Sequence, residues 1–245
     1  MADDTVFVHG WLSSGGVEFS RSVFELILRL LTHLETYGRK NVPPGGVIIS
    51  PNHLSVVDAP LVFMMMPRRK VTVFVADKHQ HHWFFRPIVT MVDCIWVNRG
   101  NTSPSTIKAA VRALQGGSML GVAPEGTRSP THALQQGKTG AVYLAYASGV
   151  PVIPTAIIGA EKAIPALKRL RRAKVSITFG KPMIFGTLGQ RTRPTQQQLD
   201  DGTEELMCRI AAMLPPEYRG VYADHPRVQE LLEAKPAPAP AGQPS

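Results

Sequence analysis

The chain has 245 residues, with 27 Lys and Arg against 18 Asp and Glu, for a formal net charge of +9. This length fits one domain, or at most two small ones. At 44% hydrophobic it can bury a core, which excludes intrinsic disorder, and a mean hydropathy of −0.02 excludes a polytopic membrane protein.

The opening, MADDTVFVHG, is acidic and lacks the basic-then-apolar order of a signal peptide, so none is expected. Apolar spacing predicts a helix over 19–37. At about 100° per residue, Arg21, Ser22, Glu25, Arg29, Thr32, His33 and Thr36 share an arc of roughly 120°. Val23, Phe24, Leu26, Ile27, Leu28, Leu30, Leu31 and Leu34 fill roughly 200° of the rest. An ordinary core-facing helix needs an apolar stripe of about 100° or somewhat more. The excess fits two readings: a helix covered on two sides by the domain, or one with part of its apolar face in a membrane interface. In the second, Arg21 and Arg29 suit anionic headgroups.

Strands are then expected over 46–50, 71–76, 94–97, 118–123, Val152–Ile158 and 174–179. Helices are expected over 56–66, 83–90, 103–115, Gly140–Ser148 and 196–213, which completes the ordered part. Their alternation predicts a single α/β domain, a mainly parallel sheet flanked by helices, led by the N-terminal amphipathic helix. Thr139 to Ala160 is 22 residues without a charge, long enough to span a bilayer. Gly149-Val150-Pro151 and Pro154 interrupt it, so it reads as a short helix, a turn and a buried strand. The Pro/Ala-rich tail from Ala234 reads as a disordered end.

The charge is uneven. Residues 1–181 carry a net +11 and residues 182–245 a net −2, with only Asp58, Asp77, Asp93, Glu125 and Glu161 as carboxylates between Thr36 and Lys181. Such a balance points to an anionic partner: nucleic acid, a membrane surface or a phosphorylated substrate. Cys94 and Cys208 form no CxxC and no metal-ligand spacing. That argues against a disulfide scaffold or structural zinc, and for a reducing compartment.

Three strand exits carry chemistry. Pro51-Asn52-His53-Leu54-Ser55-Val56-Val57-Asp58 follows the first predicted strand, in the kind of loop where α/β proteins place their sites. His53 just before a helix and Asp58 in its first turn could share a hydrogen bond that sets the His tautomer and leaves the other nitrogen as a base. The same residues also fit a capping-box-like start, with Asp58 only a cap and His53 a polar loop residue. Val122-Ala123-Pro124-Glu125-Gly126-Thr127-Arg128-Ser129 offers close backbone approach at Gly126, two hydroxyls and a guanidinium suited to phosphate, or else a polar turn. Cys94-Ile95-Trp96-Val97 ends in Asn98-Arg99-Gly100, a second phosphate candidate or an ordinary strand exit.

Taken in order, His53-x-x-x-x-Asp58, Asn98-Arg99, Pro124-Glu125-Gly126-Thr127-Arg128-Ser129 and Val150-Pro151-Val152-Ile153-Pro154 resemble the four blocks of the glycerolipid acyltransferases. They are most similar to the lysophosphatidic acid (1-acylglycerol-3-phosphate) acyltransferase branch, over residues 20–215. Ala123 stands where many members carry a larger apolar residue. The resemblance implies that His53 is the general base for an acceptor hydroxyl attacking a thioester, with Asp58 orienting it. It implies that Asn98, Arg99, Glu125, Gly126, Thr127, Arg128 and Ser129 bind substrate, the two arginines holding its phosphate. It places Val150, Pro151, Val152, Ile153 and Pro154 at an acyl or acceptor pocket. The implied partners are a lysophospholipid acceptor, acyl-CoA or acyl carrier protein as co-substrate, and an anionic membrane surface, with no cofactor, metal or nucleic acid. The implied place is the cytoplasmic face of the membrane, peripheral or monotopic. The implied organisation is an N-terminal segment (1–18), a membrane-interface helix (19–38), an acyltransferase domain (39–215) and a C-terminal extension (216–245). Competing readings are another acceptor (glycerol 3-phosphate, another lysophospholipid or an acylated amino acid) and a non-catalytic lipid-binding protein.

Three other features point elsewhere. Val6-Phe7-Val8-His9-Gly10-Trp11 resembles a hydrolase oxyanion loop, but no G-x-S-x-G elbow accompanies it. His79, His81 and His82 lack an acidic or Cys partner and read as a polar loop. The basic run Lys168-Arg169-Leu170-Arg171-Arg172-Ala173-Lys174 suits anionic lipid or CoA phosphates, or is a solvated face.

Overall fold

The computed structural model describes residues 7–10, 14–55, 58, 61–62, 70–76, 93–97 and 102–234. The expected helix over 83–90, the histidines at 79, 81 and 82, the pair Asn98-Arg99 and the tail after Ala234 lie outside them.

Among the described residues, eight strands form one sheet: β1 (Phe7–Val8), β2 (Thr32–Tyr37), β3 (Val47–Pro51), β4 (Val71–Ala76), β5 (Asp93–Val97), β6 (Met119–Gly121), β7 (Val152–Ile158) and β8 (Ala173–Phe179). Their spatial order is β1-β5-β4-β6-β3-β7-β8-β2. Pairing is parallel except at β1–β5 and β7–β8, as the alternating pattern predicts. The helices are α1 (Ser14–Leu31), α2 (Pro104–Gln115), α3 (Gly140–Ser148), α4 (Ala163–Lys168), α5 (Gln196–Ala211) and α6 (Pro226–Glu233). Asp58, Leu61 and Val62 are helical within the span expected over 56–66.

The core divides by strand alternation. Ile48, Ile95, Leu120, Val152 and Ala156 point to one face, under α2, α3 and α5. Val47, Ile49, Met119, Ile153, Ile157, Val175 and Ile177 point to the other, with Leu61, Leu28 of α1 and Ala166 of α4. Local signals set the helix ends. Ser103 caps α2 by accepting from the Thr106 amide at 3.2 Å. Thr195 and Gln198 form a reciprocal capping box at α5. Gly149 closes α3 at φ 71°, where a Cβ would meet the Gln190 amide nitrogen at 2.7 Å.

The helix expected over 19–37 is two elements. It starts earlier, at Ser14, and stops at Leu31; Thr32–Tyr37 is the edge strand β2, parallel to β8 from Thr32↔Ala173 to Tyr37↔Thr178. Thr32, Thr36 and Tyr37 suit a pleated edge, and partners six residues long outweigh a helical period that continues on paper. Arg172 seals the junction, its Nη2 donating to the Arg29 carbonyl in the last turn of the helix and to the Thr32 carbonyl at the start of the strand. Arg172 is therefore structural, not a free surface cation.

The orientation of α1 also corrects its polar stripe. Arg21 is only 1% exposed and pairs with Glu18 at 2.7 Å, so it does not face a surface. Phe19 is 72% exposed and Leu30 63%, with Val23, Leu26 and Ile27 exposed between them. The apolar side faces out.

Residues 214–234, after α5, are structured, against the expectation that order ends near 213. Tyr218, Tyr222 and Val228 are buried, and α6 packs on α5.

Candidate active site

His53 follows β3 and the Pro124–Ser129 block follows β6. These strands are parallel neighbours, Ile49 opposite Gly121, so both loops leave the same edge of the sheet. The block holds His53 at both ends of its backbone. The His53 amide donates to Glu125 Oε1 at 2.9 Å, and the Ser129 amide donates to the His53 carbonyl at 2.9 Å. On the other side, buried Asn52 exchanges two bonds with the Ile157 backbone, at 3.0 and 2.7 Å, locking the loop to the end of β7.

His53 Nδ1 lies 2.9 Å from Asp58 Oδ2, the same oxygen that accepts from the Leu54 and Ser55 amides at 2.6 and 2.7 Å. Both readings of Asp58 therefore hold at once: it caps the turn and it orients the ring. An ionised carboxylate only accepts, so in the neutral imidazole this bond puts the proton on Nδ1 and leaves the lone pair on Nε2. Among the described residues Nε2 has no hydrogen-bond partner, while the side chain is part-exposed and Asp58 is buried. This is a half-open base on a closed support.

The block divides into supports and exposed groups. Glu125 is 2% exposed, with Oε2 taking the Gln135 amide at 3.0 Å as Oε1 takes His53. Its carboxylate positions two loops and is not open to a substrate, contrary to the binding role expected for it. Burial raises its pKa, against the lowering effect of the two amide bonds. Ser129 is likewise buried, its Oγ donating to the Ala133 carbonyl at 2.6 Å. Gly126, Thr127 and Arg128 are exposed beside His53. Gly126 ends a turn in which its amide donates to the Ala123 carbonyl at 3.0 Å, and it sits at φ 72°.

Sequence reasoning missed one group here. A Cβ placed on Gly126 would lie 3.2 Å from Lys138 Nζ, so this cation lies over the turn. The Lys138 amide donates to the Pro124 carbonyl at 2.7 Å. Its distance in sequence from the block hid it. The ordered C-terminal region braces the same loop: Leu134 exchanges backbone bonds with Tyr218 and Val221, and the Tyr222 hydroxyl accepts the Gly137 amide at 3.1 Å.

One expected site feature falls elsewhere, and another lies outside the described residues. Val152 and Ile153 are fully buried in opposite faces of the core. Residues 150–154 enter and start β7, with Val152 opposite Ile48 and Pro154 opposite Ser50, before the level of His53. Among the described residues, Val150, Pro151, Val152, Ile153 and Pro154 therefore serve the sheet and its core, in place of the pocket expected of them; the part of β7 that meets the site is Ile157. Asn98 and Arg99 come directly after β5, and they lie outside the described residues.

A family model for acyltransferases matches residues 33–158, which include β2 to β7 and both loops around His53. The chain belongs to the acyltransferase family. This acyltransferase is 28% identical over 156 residues to a probable 1-acyl-sn-glycerol-3-phosphate acyltransferase of Mycoplasma pneumoniae, covering 60% of this chain and 58% of that protein. It is 26% identical over 195 residues to the 1-acyl-sn-glycerol-3-phosphate acyltransferase of Bacillus subtilis, covering 79% and 94%. The chain thus spans over half of the first relative and nearly all of the second. The crystal structure of the 1-acyl-sn-glycerophosphate acyltransferase from Thermotoga maritima shares its fold, with a TM-score of 0.58 and 19% identity over 78% of this chain and 76% of that one.

The acyltransferase has a second histidine–carboxylate pair. His225 Nε2 lies 2.9 Å from Glu204 Oε1, and Nδ1 accepts the Arg227 amide at 3.1 Å as the N-cap of α6. Cys208 Sγ lies 3.4 Å from the same Nδ1. Burial pushes this thiol up to about 11, so it stays protonated and is no nucleophile.

Proposed function

We propose that the protein transfers an acyl chain from acyl-CoA or acyl carrier protein to 1-acylglycerol 3-phosphate, giving phosphatidic acid for phospholipid biosynthesis. The observation that carries this reading is the clamp on His53: Asp58 sets its tautomer, and Glu125 and Ser129 hold its backbone at 2.9 Å each. A non-catalytic lipid-binding protein has no need of a base so fixed.

In the proposed reaction the acceptor hydroxyl gives its proton to His53 Nε2 as its oxygen bonds to the thioester carbonyl carbon. Asp58 stabilises the imidazolium. The tetrahedral intermediate then expels the thiolate, the C–S bond breaks, and the thiolate takes the proton back from His53. Ester and free thiol are the products, with no acyl-enzyme and no metal. A positioned base contributes roughly 10²–10⁴ in rate. Arg128 and Lys138 supply the charge that holds the acceptor phosphate, with Arg99 as a further candidate from sequence. The names of the Mycoplasma and Bacillus relatives support this acceptor.

No helix among the described residues is long and apolar enough to cross a membrane. The outward apolar face of α1 supports a peripheral or monotopic seat, with α1 lying in the interface, and we propose the cytoplasmic face as its side.

Thiol release should be measured across a panel of acceptors on vesicles: 1-acylglycerol 3-phosphate, glycerol 3-phosphate, a neutral lysophospholipid and an acylated amino acid. The first should release thiol fastest. A faster rate with any other names a different acceptor class, and no release with any overturns the reading.

A further inference from the structure

The turn between α4 and β8 has a feature that packing does not explain. Leu170 is 96% exposed and sits at φ 53°, in the left-handed region that disfavours a branched side chain. The Arg171 amide donates to the Ala166 carbonyl and the Leu170 amide to the Leu167 carbonyl, both at 2.9 Å. These are the two bonds of a Schellman ending, with leucine in the place usually taken by glycine. The backbone cost has no return within the chain, because the side chain buries nothing.

The surroundings specify a partner. Ile164 and Leu167 of α4 are exposed too, so Leu170 extends an apolar ridge. Lys168, Arg169 and Arg171 flank it, and among the described residues none of them enters an ion pair. The turn also abuts α1, because the next residue, Arg172, bonds the Arg29 and Thr32 carbonyls and Ala173 pairs with Thr32. An apolar tip ringed by cations, tied to the end of a helix with an outward apolar face, fits an anionic bilayer. A second copy of this chain would bring like charge to the same turn.

We propose that the 168–172 turn is a second membrane contact. Leu170 inserts below the headgroups, Lys168, Arg169 and Arg171 bind anionic lipid, and with α1 the turn forms a two-point seat that fixes the tilt of the domain. The proposal rests on the reading of α1 as an interfacial helix.

The test is flotation of the full chain with phosphatidylglycerol-containing vesicles and with pure phosphatidylcholine vesicles. Leu170→Gly should bind anionic vesicles about tenfold more weakly, with an unchanged or higher melting temperature because glycine relieves the left-handed strain. A joint Lys168→Ala, Arg169→Ala, Arg171→Ala variant should lose binding to anionic vesicles and keep that to phosphatidylcholine. Both native cysteines are buried, so a fluorophore on Leu170→Cys should label one site and shift to the blue on anionic vesicles. Wild-type flotation by both variants, or no spectral shift, overturns the second contact. A Phe19→Ser, Leu26→Ser, Leu30→Ser variant that floats like the wild type overturns the α1 reading instead. Neither flotation result bears on which acceptor the enzyme uses.

Discussion

His53 and His225 each place one ring nitrogen 2.9 Å from a carboxylate oxygen, yet their other nitrogens meet opposite surroundings. In His225 the second nitrogen accepts the Arg227 amide and touches a buried thiol, so both nitrogens are spent on holding α6 to α5. In His53 the second nitrogen has no hydrogen-bond partner among the described residues. The supports are also placed differently. His53 is gripped through its backbone and its carboxylate is buried, whereas Glu204 is exposed. A histidine–carboxylate bond is thus not a catalytic signature by itself; the unspent nitrogen and the fixed backbone make the difference.

The difference can be broken from either side. The largest effect should come from His53→Ala, a loss of about 10²–10⁴ in acyl transfer with an unchanged circular dichroism spectrum. Retained turnover would remove the assigned base. Asp58→Asn should cost about 10² or more in kcat, because an amide can present its NH₂ to Nδ1 and favour the wrong tautomer; a change in KM alone would contradict the orienting role. Glu125→Gln should lower kcat by up to about 10²-fold through displacement of His53, with KM little changed.

The same variant has a pH signature. Burial raises the Glu125 pKa, so the folded protein binds that proton more tightly than the unfolded chain. This share of stability is full below the ordinary carboxyl value of 4.5 and is lost as the pH rises through the folded pKa. The melting-temperature advantage of wild type over Glu125→Gln should therefore widen as the pH falls from 7 toward 4.5. A constant gap would mean that Glu125 is not perturbed.

Two smaller effects sharpen the contrast. Arg128→Ala should weaken phosphate-bearing acceptors by about tenfold or more in kcat/KM while sparing neutral ones. Equal loss for both would give Arg128 another role. His225→Ala should leave turnover unchanged and remove a helix cap worth about 1 kcal/mol, a fall of about 2–4 °C in Tm. Lost activity in a folded His225→Ala protein would erase the distinction drawn here.

Much of this was legible before the fold was seen. The boundaries of Gly140–Ser148 and Val152–Ile158 follow from glycine and proline punctuation alone. His53, Asp58 and Arg128 follow from strand exits and the resemblance of the blocks. The errors have a common source. Thr32–Tyr37 continues the helical period of α1, and only β8 makes it a strand. Glu125, Ser129 and Val150–Pro154 belong to real motifs, but a motif does not reveal whether a side chain faces a substrate or the core. Lys138 meets Gly126 from twelve positions further along the chain, with nothing in either local pattern to join them.

By itself, then, the chain determined its alternating elements, the family blocks and the pairing of His53 with Asp58, since these depend on residue type and short-range spacing. Tertiary structure alone decided which carboxylate supports and which orients. It turned the apolar side of α1 outward around a buried Arg21, and it tied the turn that carries Leu170 to the end of that helix. Those outcomes depend on which strands pair and which surfaces that pairing covers, and such contacts join residues far apart in sequence.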